Sequence, residues 1–208
     1  MHKKRIAHIL SVVSKEARMG DKIGIIGYSV FDDMFREHIK NAFFYNIVPN
    51  EDFIETKYQK YHDYIIFYDI TDSSSSDPPI KFDLIIFTEV LEHLLAKDEI
   101  ILINISKLIK DRGKLIFSVP NVSALGKIVS LNFGKNPYMT KDQILNGSFS
   151  GYGHIREYSF NEVKTLLSKN FRIIRLEGWN DYPNKFNKIS KILPKIYAET
   201  IFALCEKP

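Results

Sequence analysis

Short apolar runs alternate with stretches of helical spacing along the first two-thirds of the chain. Ile6, Leu10, Val13 and Ala17 recur at helical intervals, so residues 1–20 predict an amphipathic N-terminal helix. Lys22-Ile23-Gly24-Ile25-Ile26-Gly27 then reads as a short buried strand closed by glycine. A helical pattern covers 31–40, and 42–48 is a second β-rich run stopped by Pro49-Asn50. Tyr64 to Tyr68 is a third strand ending at Asp69, and Phe82 to Phe87 a fourth. Helices are expected from Val90 and over 98–109, after which Gly113 turns the chain into a fifth strand, Lys114 to Val119. Ser159 and Glu162 have the spacing of a capping box at the head of a helix over 159–169. Phe171 to Leu176 and Thr200 to Leu204 predict two closing strands, separated by a loop-rich stretch with Trp179, Tyr182 and Pro183.

Strands of nearly continuous apolar character alternating with helices indicate an α/β chain whose parallel sheet is covered on both faces. Ligands of such sheets sit at the carboxyl ends of the strands, near the point where strand order reverses. Attention therefore falls on the residues just after each strand: 27–31, 46–51, 69–71, 88–93 and 120–122. Residues 121–157 lack a clear period and read as an insert.

At 208 residues the chain fits one full-sized domain spanning 1–208. The net charge of +4 comes from scattered lysines and arginines, so no nucleic-acid footprint is indicated. Cys205 is the lone cysteine, which excludes an intrachain disulfide or cysteine-based zinc site and suits a reducing, cytoplasmic setting. The apolar run after Lys3-Lys4-Arg5 is short and broken by His8 and Ser11, unlike a signal peptide, and no segment approaches the length of a membrane span. Glu92-His93 lacks the second histidine of a His-Glu-x-x-His zinc site, so no metal is implied. Gly24-x-x-Gly27 is not a Gly-x-Gly-x-x-Gly fingerprint, which argues against a nicotinamide dinucleotide enzyme.

Phe82-Asp83-Leu84-Ile85-Ile86-Phe87-Thr88-Glu89-Val90-Leu91-Glu92-His93-Leu94 resembles the fourth-strand motif of the class I S-adenosylmethionine-dependent methyltransferases. Ile109-Lys110-Asp111-Arg112-Gly113 keeps the last glycine of that family's turn into strand five, and Ser118-Val119-Pro120-Asn121 is similar to the strand's ending. His154-Ile155-Arg156-Glu157-Tyr158-Ser159 resembles the superfamily's His-x-Arg-x-Tyr-Ser/Thr segment. The resemblance spans nearly the whole chain. It implies a Rossmann-like, doubly wound, mostly parallel seven-stranded sheet with its last strand antiparallel and helices on both faces. It also implies methyl transfer from S-adenosylmethionine to a small-molecule, lipid or saccharide acceptor, with 121–157 on the substrate side and a homodimer left open.

Strand one departs from the family pattern. Ile25 stands at the acidic position, Gly27 matches the first glycine, Ser29 replaces the second and Phe31 the third. The acidic residue ending strand two, which in the family grips the ribose hydroxyls, is missing; Asn46 aligns there, with Glu51 a few residues on. These losses bear on cofactor affinity rather than on the fold, and they keep open a non-catalytic binding or scaffold protein of the same architecture.

The resemblance places the cofactor against Gly27, Tyr28, Ser29, Asn46, Asp69, Ile70, Thr88 and Glu89. Asp69 either accepts from the adenine amino group or caps a turn before Thr71. Glu89 either lines the floor of the site or caps the next helix near its positive end. For a hydroxyl acceptor that needs a general base, His154 and His93 are the candidates, and His154, in the loop after the insert, is the one assigned the catalytic role. The other reading of His93 is a structural hydrogen-bonding residue, and Arg156 and Tyr158 read as packing and salt-bridge residues or, alternatively, as substrate contacts.

Overall fold

The computed structural model describes residues 3–27, 32–54, 64–138, 140, 142, 153–180 and 194–208. Seven strands form one sheet: β1 (Lys22–Ile26), β2 (Phe43–Val48), β3 (Ile65–Phe67), β4 (Phe82–Thr88), β5 (Ile109–Pro120), β6 (Arg172–Trp179) and β7 (Thr200–Glu206). Their order is β3-β2-β1-β4-β5-β7-β6. The pairs among β1 to β5 are parallel, while β7 runs antiparallel to both β5 and β6. The expected seven-stranded, Rossmann-like sheet with an antiparallel last strand is the one observed. Strand order reverses between β1 and β4, the place where ligands of such sheets sit, outside the carboxyl ends of the strands.

Helices α1 (Lys3–Glu16) and α2 (Asp32–His38) cover one face. Ile9, Val12 and Val13 of α1 and Phe35 of α2 pack with Ile23, Ile25, Leu84, Ile86 and Ile116. Each buried aliphatic side chain contributes at most about 1.5–3 kcal/mol, enough to make α1 an integral layer of the fold. Helices α3 (Asp98–Leu108) and α5 (Phe160–Ser168) cover the other face, with Ile101, Ile105, Val163 and Leu167 against Ile85, Phe87, Leu115 and Phe117. Helix α4 (Leu125–Asn132) lies within the expected insert and has no buried residue.

The capping box heads α5 as expected: Glu162 Oε2 accepts from the Ser159 amide at 2.8 Å, and Ser159 Oγ accepts from the Glu162 amide at 3.4 Å. Other local expectations are corrected. The helix expected from Val90 is a single 3₁₀ turn, Leu91–His93. Gly113 is not the turn residue; Arg112 takes the left-handed conformation (φ 64°), and a Cβ on Gly113 would stand 2.8 Å from the Lys110 carbonyl oxygen. The register jump from Phe82–Ile109 to Leu84–Lys114 absorbs the intervening residues as an irregularity of β5. Trp179 belongs to β6, and its ring stacks on His8 of α1 at 4.0 Å between centroids. Among the described residues no helix is long and apolar enough to cross a membrane.

Candidate active site at the carboxyl edge of the sheet

The parallel strands end on a common rim. Ile25 pairs with Ile86, so Gly27, two residues on, stands level with Thr88, which pairs with Ser118. On the other side Val48 pairs with Phe67, and the Tyr68 amide donates to the Val48 carbonyl at 2.8 Å. Gly27 has φ +77°, the left-handed region that favours glycine, and a Cβ there would meet no described residue within 4 Å. Among the described residues nothing crowds the backbone at the end of β1. Tyr28 and Ser29, both expected in the cofactor loop, and Phe31 lie outside the described residues.

Asn46 is placed differently from its expected role. It pairs with Ile25 inside β2, below the rim that ends at Val48, and is 0% exposed. Its amide nitrogen donates to Asp32 Oδ2 at 2.6 Å and to the Gly27 carbonyl at 3.0 Å, and its oxygen accepts from Arg36 at 2.8 Å. Asn46 therefore braces the β1 loop from behind, through its bond to Gly27. Glu51 lies on the rim itself, exposed in the 3₁₀ turn Glu51–Phe53 directly after β2.

Asp69 closes a turn: its Oδ1 accepts from the Thr71 amide at 2.8 Å and the Thr71 hydroxyl at 2.6 Å. Its Oδ2 takes no hydrogen bond from a described residue. Ile70 is buried, with its carbonyl held by Asn104 at 3.1 Å. Thr88 ends β4 half-buried on the rim. Glu89 adopts φ 55° and does not cap a helix. Arg5 donates to its Oε2 at 2.6 Å and Ser118 to its Oε1 at 2.8 Å, so α1 and the end of β5 hold it jointly.

The segment carrying His154 folds back on this rim. The Ile155 amide donates to the Glu92 carbonyl at 2.8 Å, and the Tyr158 amide donates to the Pro120 carbonyl at 3.3 Å. His154 is thereby fixed above the ends of β4 and β5, with its ring edge-on to His93 at 5.1 Å. Its Nδ1 is 3.0 Å from Glu157 Oε1, and Lys127 binds the other Glu157 oxygen. Hydrogen bonds from these two neighbours hold the Glu157 carboxyl below its ordinary value despite burial, the largest single influence, which pushes the other way. Glu92 is 1% exposed, and neither carboxyl oxygen takes a hydrogen bond from a described residue. Burial, reinforced by Glu89, pushes its pKa well above the ordinary value. Tyr158 is packing as expected, 2% exposed with its hydroxyl donating to Asp98 at 2.9 Å, and Arg156 pairs with Glu162 at 2.5 Å.

No protein-family model and no curated protein matches the sequence. Solved structures do match in fold. A methyltransferase from Archaeoglobus fulgidus described as S-adenosylmethionine-dependent aligns with a TM-score of 0.65 at 14% identity, covering 100% of this chain and 95% of that one. Magnesium protoporphyrin IX methyltransferase (ChlM) from Synechocystis PCC 6803, solved with S-adenosylhomocysteine, aligns at 0.62 and 16% identity, over 100% and 84%. The N-methyltransferase NodS from Bradyrhizobium japonicum WM9, also bound to S-adenosylhomocysteine, aligns at 0.59 and 15% identity, over 99% and 87%. The chain has the class I S-adenosylmethionine-dependent methyltransferase fold.

Several residues that shape the rim of this methyltransferase fold were not legible in the sequence. Arg5 and Ser118 hold Glu89, Asp32 and Arg36 complete the Asn46 network, and Glu157 orients His154. Ser118 and Glu157 fall inside the strand-five ending and the His154 segment, while no motif marks Arg5, Asp32 or Arg36.

Proposed function

We propose that the chain is an S-adenosylmethionine-dependent methyltransferase acting on a small-molecule, lipid or saccharide acceptor. The observation that carries this reading is Gly27: a left-handed glycine at the end of β1, beside the strand-order reversal, where an added Cβ would meet no described residue within 4 Å. An adenosyl ligand needs such a close approach to the backbone, so the residues present fit it.

In this reading the Gly27 backbone and the adjoining Tyr28 and Ser29 receive the amino-acid end of the cofactor, and Thr88 and Glu89 form the floor. Glu51, exposed on the rim, takes the ribose hydroxyls in place of Asn46, because a carboxylate accepts two such bonds. Asp69 Oδ2 and Ile70 border the adenine. When bound, S-adenosylmethionine supplies the electrophilic methyl group, leaving the protein to align the acceptor and exclude water. His154 stands on the acceptor side. With Nδ1–H donating to Glu157, its Nε2 is left basic toward an acceptor hydroxyl so long as no ion occupies that lone pair. Lys127 of α4 ties this histidine to the insert, whose exposed Leu131 and Phe133 suit an acceptor with an apolar part. The lone cysteine supports a cytoplasmic setting.

A second reading, a binding or scaffold protein without turnover, is favoured by one observation: both Glu89 oxygens and the whole Asn46 amide are committed to the protein itself. Calorimetric titration with S-adenosylmethionine and S-adenosylhomocysteine separates the two. Micromolar binding of both supports the transferase; no heat up to millimolar ligand supports the scaffold. A response to NAD⁺ alone contradicts both.

A further inference from the structure

We propose that Glu92, His93 and His154 form a binding site for one divalent transition-metal ion of the zinc, cobalt or manganese type, beside the rim of the sheet. One donor atom from each residue lies within 4.8 Å of the other two. His93 Nε2 is 3.7 Å from Glu92 Oε1, too long for a hydrogen bond. It is close to the roughly 3.4 Å that separates two donors bound about 2.1 Å from a tetrahedral ion. Glu92-His93 lacks the second histidine of a His-Glu-x-x-His motif, but the fold brings one, His154, from the far end of the insert.

Three features indicate a ligand here rather than a chance cluster. The Glu92 side chain is fully buried, and both of its oxygens lack a donor among the described residues, an arrangement that proteins rarely leave uncompensated. Glu157, itself 5% exposed, accepts from His154 Nδ1, which turns the Nε2 lone pair outward as a ligand. A carboxylate behind a ligating histidine is the usual second layer of such sites, fixing tautomer and ring orientation. Lastly, the 2.8 Å bond between the Ile155 amide and the Glu92 carbonyl fixes the His154 segment against the turn that holds the other two residues.

The donor set decides the class of ion. Two imidazoles and one carboxylate favour zinc, cobalt or manganese over magnesium and calcium, which prefer oxygen ligands. Glu89 does not join the set, since Arg5 and Ser118 occupy its oxygens. Three protein ligands leave at least one position open, and its ligand class is an oxygen donor: water, or a hydroxyl of the acceptor. The assignment of the open position to the acceptor rests on the transferase reading above; the metal site itself does not.

The test uses the untagged full-length chain, stripped with chelator and titrated with Co²⁺ while following visible absorption and calorimetric heat. The site predicts one Co²⁺ per chain with a ligand-field band, displaced by Zn²⁺ and not by equimolar Mg²⁺. His93→Ala and His154→Ala each abolish the band, and circular dichroism checks that each variant is folded. Glu157→Gln keeps the band and weakens binding about 10–100-fold. Absence of the band in the wild-type chain, or a band that survives His154→Ala in folded protein, overturns the proposal. Titration with S-adenosylhomocysteine is scored separately, so loss of the transferase reading and loss of the metal site are told apart.

Discussion

Asn46 donates a 2.6 Å hydrogen bond to Asp32, and neither residue has exposed surface. Their contact locks the start of α2 to β2, while a second bond from Asn46 holds the Gly27 carbonyl. Asn46→Ala leaves buried polar groups short of a partner and destabilises the fold by about 1–3 kcal/mol. The expected result is a melting temperature lower by about 2–4 °C per kcal/mol. Loss of S-adenosylhomocysteine affinity with unchanged melting would instead make Asn46 a direct ligand contact.

Gly27→Ala tests the backbone at the end of β1. The φ of +77° costs a residue with a Cβ about 1–2 kcal/mol, and that Cβ would meet no described residue within 4 Å. Affinity for S-adenosylhomocysteine should fall at least about tenfold, or 1.4 kcal/mol, in a chain that remains folded. Calorimetry on the folded variant reads this directly, and unchanged affinity contradicts the placement of the ligand.

The capping box at α5 gives an acid-sensitive element. Glu162 accepts from the Ser159 amide and pairs with Arg156, which holds its carboxyl below the ordinary value. A depressed folded pKa means stability present above the unfolded value, about 4.3, and lost as pH falls through the folded one. Ser159→Ala should cost about 1 kcal/mol. Glu162→Gln should flatten the acid limb of melting temperature against pH relative to wild type; identical limbs count against the assignment.

The architecture was readable because buried parallel strands announce themselves as apolar runs. All seven strands lie where those runs predict, and the Ser159–Glu162 spacing marked a cap that forms. Failures fell where tertiary contacts overrule local pattern. Val90 to Leu94 looks helical but ends after one 3₁₀ turn, because Glu89 is held by Arg5 and Ser118 from distant parts of the chain. Trp179 looked like a loop residue because its partner, His8, comes from the opposite end of the sequence. Asn46 looked like a strand end because register, not composition, decides where β2 meets the rim. The Glu92, His93 and His154 cluster has no spacing signature, since the insert brings its members together.

His8 provides a second pH-dependent element. Burial lowers its pKa, with Arg175 and Lys15 acting the same way and Glu177 opposing. A lowered folded value means stability present above the unfolded imidazole value, about 6.5, and lost as pH falls through the folded one. Wild-type melting temperature should therefore drop more steeply below about pH 6.5 than that of His8→Gln. Parallel profiles would contradict a neutral, stacked His8.

The central claim is that the sheet rim between β1 and β4 receives an adenosyl ligand. Amide chemical-shift mapping of the labelled chain during S-adenosylhomocysteine titration tests it most directly. The account predicts saturable shifts at Gly27, Glu51, Ile70 and Glu89, with residues of α5 unmoved. Shifts absent at saturating ligand, or confined to residues away from the strand ends, would contradict it.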